Sequence, residues 1–399
     1  MALTVHEVST QLSVSTDTIR RWDKKGLLKS TRSDNNYRLF DLDEVSKLSK
    51  KLSVNHNEAS VYKILKSEKQ TNYSVIELFA GAGGMALGFE NAGLNHILLN
   101  EINKDACNTL KKNFPNGTNI ICDDVKNISF QEYENKADVM QAGFPCQAFS
   151  YAGQGRGFDD IRGTLFFEFA RAIKEAKPKI AIGENVRGLV NHDGGKTLKT
   201  MLKVLEELGY KVQYRVLKAQ YFDVPQKRER LLIIAIRNDL DIDFVFPKEN
   251  NYIVPLRDAL KDCPPSEGTQ YAKKKKDILD LIPEGGYWRD LPLELQKEYM
   301  QASFYHTGGR TGMARRLAWN EPSLTLTCSP AQKQTERCHP SETRPLNVRE
   351  YARIQTFPDS WDFQGSVSAK YKQIGNAVPV NLGYHVGTCV IEMLDSLKK

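Results

Sequence analysis

Tyr73-Ser74-Val75-Ile76-Glu77-Leu78-Phe79-Ala80-Gly81-Ala82-Gly83-Gly84 is the stretch that decides the fold. Its first seven residues are β-branched or apolar apart from Ser74 and Glu77, the composition of a strand. The chain then runs through a glycine-rich turn into a helix from Met85 to Ala92. A second strand, His96 to Asn100, ends in Glu101. Gly81-x-Gly83-x-x-Ala86, with an acid at the end of the next strand, is the pattern of a nucleotide-binding βαβ unit. The glycines allow a tight turn and close approach of a ligand, and Glu101 can accept hydrogen bonds from both hydroxyls of a ribose. These residues favour an adenosine-bearing ligand. They do not choose between a dinucleotide and S-adenosylmethionine.

The same alternation continues downstream and predicts an α/β fold. A third strand, Asn119 to Cys122, leads to Asp123-Asp124-Val125, where an acid either receives an adenine amino group or caps the segment that follows. A fourth, Ala137 to Ala142, runs into Gly143-Phe144-Pro145-Cys146-Gln147. A cysteine just past a strand's C-terminal end sits where open α/β sheets hold ligands. Pro145 fixes its own φ and restrains Phe144, so the backbone aiming the sulfur is stiff. Ser150 to Gly163 follows without apolar periodicity, as a lid would. A helix then opens at Gly163-Thr164-Leu165, and strand five, Lys179 to Gly183, ends in Glu184-Asn185-Val186. Cys146 and Glu184 therefore belong to one cleft if their strands are neighbours. After a helix (Thr197–Leu208) and a strand (Lys211–Leu217), Gln226-Lys227-Arg228-Glu229-Arg230 enters a last strand. Two arginines at alternate positions point to one side and suit an anionic or carbonyl-bearing group.

Composition bounds the rest. The 399 residues allow two or three domains, and 40% hydrophobic content supports a core. No apolar run reaches membrane-span length and no leader pattern opens the chain, so a soluble intracellular protein is expected. The seven cysteines are scattered, with no CxxC pair, which suggests neither a disulfide framework nor a zinc site. No metal is called for. The net charge is +7, and residues 1–72 carry 13 Lys and Arg against 9 Asp and Glu. A basic end on a near-neutral body hints at a polyanionic partner.

That basic end has a pattern of its own. A helix from Thr4, a break at Ser13-Val14-Ser15 and a second helix from Thr16 to Trp22 describe a helix-turn-helix. Arg32 to Phe40 reads as a hairpin wing, and Asp41 caps a last helix to Leu52. On Ser15-x-x-Thr18-Ile19-Arg20-Arg21-Trp22, Gly26-Leu27-Leu28 and Tyr37-Arg38-x-Phe40, residues 1–50 of an N-terminal domain spanning 1–52 resemble the winged helix-turn-helix of MerR and excisionase proteins. The resemblance implies duplex binding through Thr18, Arg20 and Arg21, with Arg38 near phosphates. Residues 53–72 read as a linker, with a helical patch at Val61, Ile64 and Leu65.

The rest of the chain resembles the DNA (cytosine-5) methyltransferases. The matching pieces are Phe79-Ala80-Gly81-x-Gly83-Gly84, Gly143-Phe144-Pro145-Cys146-Gln147-x-Phe149-Ser150, Glu184-Asn185-Val186, Gln226-Lys227-Arg228-Glu229-Arg230 and Gly375-Asn376-Ala377-Val378-Pro379, in the family's order. This implies a Rossmann-like S-adenosylmethionine-dependent methyltransferase sheet over residues 73–240, an inserted target-recognition domain over 241–343, and a return over 344–399. It implies S-adenosyl-L-methionine as cofactor and S-adenosyl-L-homocysteine as product. Phe79, Ala82, Gly83, Gly84, Glu101, Ile102, Asp124, Val125, Pro145, Leu165, Asn376 and Ala377 would border it. Cytosine C5 is too electron-poor to attack a methyl sulfonium unaided. Cys146 is then the nucleophile that adds to C6, helped by a positive neighbourhood that lowers a thiol pKa of about 8.5. Glu184 would serve N3 and the 4-amino group, Arg230 would support O2 and hold Glu184, and Arg228 would add positive charge. Ser150 and Arg162 would approach the phosphates of a flipped-out target.

Residues 241–343 are broken by prolines, and residues 303–337 hold 5 Lys and Arg against 2 acids. Arg310, Arg315, Arg316, Gln334 and Arg337 are the candidate groove readers. The expected partner is double-stranded DNA, met by a monomer in a bacterial cytoplasm, at nucleoid DNA. A cognate restriction endonuclease would act on the same site. The winged helix adds DNA affinity or represses its own operon, and residues 1–72 should be dispensable for chemistry. Methylation of tRNA, or a regulator on an inactive core, are the competing readings.

Overall fold

The structure is a computed structural model. It describes residues 2–12, 16–24, 26–33, 37–55, 62–114, 117–145, 164–306 and 310–398, without the side chains of 6, 10, 16–18, 21, 49–55 and 398. Cys146, Ser150 and Arg162 lie outside the described residues, as do the side chains of Thr18 and Arg21.

The N-terminal unit runs β1 (Ala2–Thr4), α1 (Val5–Gln11), α2 (Thr16–Lys24), β2 (Ser30–Arg32), β3 (Arg38–Asp41) and α3 (Leu42–Asn55). The three strands form an antiparallel sheet in the order β1-β3-β2. Sequence periodicity had not indicated β1. Val8, Leu12, Ile19, Trp22, Leu28, Phe40 and Val45 make a small core. Asp41 Oδ1 caps α3 by accepting from Asp43 N and Glu44 N, as expected, but the helix runs to Asn55. Residues 62–72 are not helical. They lie across the following domain as a strap, and this corrects the linker reading. Tyr62 Oη donates to the carbonyl of Arg353 at 2.9 Å, and Leu65 N donates to Asn381 Oδ1 at 2.9 Å.

The catalytic half begins with β4 (Ser74–Leu78), α4 (Gly84–Ala92), β5 (Asn95–Asn100), α5 (Lys104–Asn113), β6 (Asn119–Ile121) and β7 (Val139–Ala142). It continues through α6 (Leu165–Ala176), β8 (Ile180–Val186), α7 (Lys196–Glu207), β9 (Tyr210–Lys218), β10 (Gln226–Lys227) and β11 (Glu229–Arg237). One seven-stranded sheet has the order β6-β5-β4-β7-β8-β11-β9. All neighbours are parallel except that β11 runs antiparallel to both β8 and β9. The chain builds outward from β4 to β6 and then returns to place β7 beside β4. That reversal opens a crevice beyond the C-terminal ends of β4 and β7, where open α/β sheets bind their ligands. Near-continuous apolar strands such as Ile180–Ile182 and Leu231–Ile236 follow from burial on both faces.

The second half adds α8 (Leu256–Leu260), α9 (Lys273–Asp280), α10 (Leu293–Met300), β12 (Ser323–Leu324), α11 (Val348–Ile354), α12 (Val367–Asn376) and α13 (Val380–Asp395). The separately packed part of the insertion is smaller than 241–343. Its own core is Leu279, Ile282, Trp288, Leu291, Tyr299, Met300, Met313 and Ala314. Ile242 and Ile253 pack instead with the sheet residues Val75 and Ile234. Leu256, Leu260, Leu317 and Leu326 join the cluster beneath the glycine turn, with Ala80, Ala82 and Ala86. The helix α11 begins at Val348 because Asn347 forms a capping box with Glu350 and fixes the start. The C-terminal α13 packs on α4 through glycines: a Cβ on Gly88 would meet the Val380 carbonyl at 2.4 Å.

Candidate active site

The glycine turn is built for close approach. Phe79, Gly81 and Gly83 have φ of 57°, 56° and 82°, and a Cβ on Gly81 would enter open space. Gly84 has a different reason to be glycine, since a Cβ there would meet the Val378 carbonyl at 2.2 Å. Glu101 is preorganised beside the turn: Oε2 accepts from Gly81 N and Oε1 from Asn103 N, both at 2.8 Å. Ile102 next to it is 66% exposed, an apolar side chain with nothing over it among the described residues. Asp124 caps the turn Val125–Asn127, its Oδ1 accepting from Lys126 N at 3.0 Å, while Asp123 Oδ1 accepts from Asp124 N and Asn127 Nδ2. Capping, one of the two readings open for this pair, is present at Asp124. The side chains of Ala82 and Val125 are buried in the core and Leu165 is half-buried. Asn376 is exposed at the same mouth, its Oδ1 accepting from Cys328 Sγ at 3.2 Å, with Ala377 buried beside it.

The second half of the crevice lies at the ends of β7, β8 and β11. β7 and β8 are parallel neighbours, so Pro145 and Glu184 rise from adjacent strands, as the cleft argument required. Arg230 Nε pairs with Glu184 Oε1 at 2.7 Å, both side chains 12% exposed. Burial pulls the Arg230 guanidinium below its ordinary value, and Glu184 acts against this. A Cβ on Gly143 would lie 3.2 Å from Glu184 Oε2, so the strand leading to Cys146 passes directly over the carboxylate. Asn185, which the sequence argument quoted but gave no role, is buried and donates to the Phe144 carbonyl at 2.8 Å. It fixes the residue before Pro145, and Phe144 is wedged against Phe166 at a ring separation of 5.3 Å.

Several expected residues sit elsewhere. Arg228 is 1% exposed and donates to the main-chain carbonyls of Leu326, Gly375 and Asn376 at 3.2, 3.0 and 3.4 Å. It clamps three segments together from inside the protein. Arg337 and Arg316, expected in a DNA groove, are each 5% exposed. Arg337 donates to the Thr325 and Glu336 carbonyls, and Arg316 to those of Ile282, Leu279 and His339. Both hold the insertion together from inside. Arg315 is half-buried over the Tyr287 ring. Arg310 donates to the carbonyls of Ser303 and His306, closing its own loop. Gln334 is exposed. In the winged helix Arg20 is exposed, while Arg38 Nε pairs with Asp23 at 2.7 Å. Sequence reasoning quoted Gln226 without a role and missed Gln355; their buried amides join at 2.8 Å. No periodicity signals a polar residue inside a core; only their burial does.

The sequence profile of C-5 cytosine-specific DNA methylases matches residues 73–392. The chain belongs to the C-5 cytosine-specific DNA methylase family. The methyltransferase is 57% identical to the Type II methyltransferase M.Eco47II of Escherichia coli over 98% of this chain and 96% of that protein. It is 52% identical to the Type II methyltransferase M.PspPI of a Psychrobacter strain over the same shares. Residues 4–40 match the MerR family of regulatory proteins. A crystal structure of a DNA modification methyltransferase encoded within an E. coli prophage aligns with a TM-score of 0.59. It is 22% identical and covers 81% of this chain and 100% of its own, a likeness of fold. The enzyme is thus a DNA (cytosine-5)-methyltransferase of the Type II, restriction–modification kind, on the expected α/β fold. Among the described residues no helix is long and apolar enough to cross a membrane.

Proposed function

We propose that the enzyme methylates C5 of a cytosine flipped out of double-stranded DNA, through a covalent bond between Cys146 and C6, with S-adenosyl-L-methionine as donor. The observation that carries this reading is the Arg230–Glu184 pair, 2.7 Å apart, beneath the strand end that leads to Cys146. Bound at the glycine turn, S-adenosyl-L-methionine supplies an electrophilic methyl group and is left as S-adenosyl-L-homocysteine. The turn fits such a ligand: Gly81 opens on free space, Glu101 stands as a fixed carboxylate for ribose hydroxyls, and the bare Ile102 offers an apolar face for a flat ring. Phe79, Asp124 and Asn376 complete the border.

The protein's own work is nucleophilic and electrostatic. The Cys146 thiolate adds to C6, and the ring's electrons move toward C5 while charge gathers on N3 and O2. Glu184 serves N3, to which its protonated form donates, and accepts from the 4-amino group. Arg230 holds Glu184 in place and meets O2. Pro145 stiffens the wall between base and cofactor. After transfer, a base removes the C5 proton and the sulfur–C6 bond breaks. The base is flipped because C5 chemistry inside a stacked duplex is out of reach. Ser150 and Arg162 approach the target's phosphates. The enzyme works as a cytoplasmic monomer on nucleoid DNA, sharing its site with a restriction endonuclease.

Duplex DNA with 5-fluorocytosine at the methylated position tests the reading, since fluorine cannot leave as a proton would. A denaturation-resistant adduct mapping to position 146, absent from Cys146→Ser, is expected. Normal methylation of ordinary DNA with no such adduct would refute it. The winged helix either adds DNA affinity or represses the enzyme's own operon. A footprint at a promoter lacking the methylated sequence favours repression, and equal kinetics on long DNA after its removal excludes the affinity role.

A further inference from the structure

We propose that Arg171 is a positioning residue for the cofactor, fixing the turn Val125–Asn127 on the adenine side of the crevice against α6. This deepens the S-adenosyl-L-methionine reading above, on which it rests, by naming the side chain that sets one wall of that site. The turn needs a brace. It follows β6, a three-residue strand at the edge of the sheet. Its entry is fixed from the sheet, since Asn100 Nδ2 donates to the carbonyls of Ile121 and Asp123 at 3.2 and 2.9 Å. The carboxylates of Asp123 and Asp124 then tie the turn only to itself. Past Asn127 the chain leaves the sheet until β7.

Arg171 supplies the tie at the far end. It stands on α6, six residues after Leu165, the half-buried side chain expected to border the cofactor. Its Nη2 donates to the Val125 carbonyl at 2.9 Å and its Nη1 to the Ile128 carbonyl at 3.0 Å, so one planar fork spans the turn. The fork is itself aimed. Nε donates to Glu168 Oε2 at 2.8 Å, and Nη1 also donates to Glu175 Oε1 at 2.9 Å. Glu168 is buried, and the second oxygen of Glu175 accepts from Phe130 N at 2.7 Å. The guanidinium also lies 5.5 Å from the centre of the Phe130 ring. Apolar packing alone would anchor the segment at lower desolvation cost. It would not fix rotation. Two carbonyls bonded to one rigid guanidinium set the direction of the turn as well as its distance from α6, and that direction aims Asp124 and Val125. A lysine ammonium is a point donor on a flexible stem and lacks the fork that matches both carbonyls.

The test compares the full-length enzyme with its Arg171→Met and Arg171→Lys variants, by methyl-transfer kinetics and by calorimetric binding of S-adenosyl-L-homocysteine. In Arg171→Met, the KM for S-adenosyl-L-methionine and the Kd for S-adenosyl-L-homocysteine are expected to rise roughly 10- to 100-fold, the scale of one charge-assisted hydrogen bond. At saturating cofactor, kcat and the KM for DNA should stay within about threefold of the parent, the pattern of lost uniform binding. Arg171→Lys should fall between the two, and it carries the test alone if Arg171→Met does not fold. Unchanged cofactor KM and Kd in Arg171→Lys would overturn the proposal. So would a loss in which kcat and the KM for DNA suffer as much as the cofactor constants, because a merely structural brace gives that pattern. If the parent itself binds no S-adenosyl-L-homocysteine, the cofactor reading fails, and that outcome is visible before any variant is made.

Discussion

Removing residues 1–61 should leave the catalytic domain intact, while removing residues 1–72 should damage it. The strap 62–72 satisfies buried polar groups of the catalytic domain. Asn381 is fully buried: its Nδ2 donates to the carbonyls of Lys63 and Asp223, and its Oδ1 accepts from Leu65 N. Ser67 N donates to the Asn91 carbonyl at 2.7 Å and Thr71 N to that of Gly93 at 2.8 Å. Ile64 packs on the cluster beneath the glycine turn. Leaving Asn381 Oδ1 without a donor costs about 1–3 kcal/mol. Exposing the surface covered by Ile64 and Tyr62 adds roughly 2–4 kcal/mol. A loss of about 3–7 kcal/mol is a large share of the ~5–15 kcal/mol by which proteins are usually stable. For a chain of this length it lowers Tm by about 5–15 °C. Thermal unfolding with and without added S-adenosyl-L-homocysteine measures it, alongside methyl transfer. The shorter truncation should melt within about 2 °C of the parent's catalytic transition, a difference of no more than ~1 kcal/mol. Identical melting of the two truncations would refute the reasoning.

Two further outcomes follow from single sites. Glu184→Gln keeps the side chain's shape and removes its charge and its ion pair with Arg230, so turnover should fall by about 10²–10⁴ while DNA affinity changes little. A loss under about threefold would exclude the role given to Glu184, because general acid–base groups contribute far more. His96 is buried; burial opposes its charged form, but hydrogen bonds to Glu77 and Glu90 outweigh it and lift the ring from 6.5 to about 9. Burial also raises the Glu77 carboxyl. Both groups hold protons more tightly in the folded state, so the His96 contribution is fullest below 6.5 and fades as pH rises through about 9. Tm measured from pH 6 to 9.5 should decline more steeply in the parent than in His96→Phe, and parallel curves would contradict the assignment.

The crevice was legible because its determinants are local. Gly81, Gly83 and the acid Glu101 announce a turn and its ligand through backbone conformation, which sequence encodes directly. The βαβ alternation left adjacency of the strands before Cys146 and Glu184 as a condition, which the parallel pairing of β7 and β8 meets. The arginines were not. Arg228, Arg230, Arg316 and Arg337 are alike in sequence, yet one faces the cleft and three are sunk among carbonyls. A guanidinium serves both ends, since its fork matches main-chain oxygens as well as phosphates. Only the tertiary packing decides, and contacts such as Arg228 to Gly375 span 147 residues of chain. The strap was misread for the same reason: its polar composition suggests a linker, and the buried Asn381 that demands it lies more than 300 residues away.

The clamp around Leu326 explains why a recognition region can be inserted into a catalytic domain without loosening it. Arg228 bonds the Leu326 carbonyl, Gln226 Oε1 accepts from Leu326 N, and Thr325 Oγ1 donates to the Lys227 carbonyl. β10 and β12 pair in parallel at the same place. Gln226 reaches Gln355, whose amide donates to the carbonyls of Ile374 and Ala377, and a Cβ on Gly375 would meet the Thr327 carbonyl at 2.2 Å. Recognition region, catalytic strand and cofactor-side helix thus meet at one buried polar knot. Burial of the Arg228 charge, with Arg230 nearby, pushes its guanidinium well below its ordinary value, and Glu184 opposes this only in part. An apolar core would hold these segments more cheaply, yet it would let them slide. Directional bonds to consecutive peptide units fix rotation as well as distance. A flipped base needs that, because the groove contacts that choose it and the carboxylate that receives it must stay in one register.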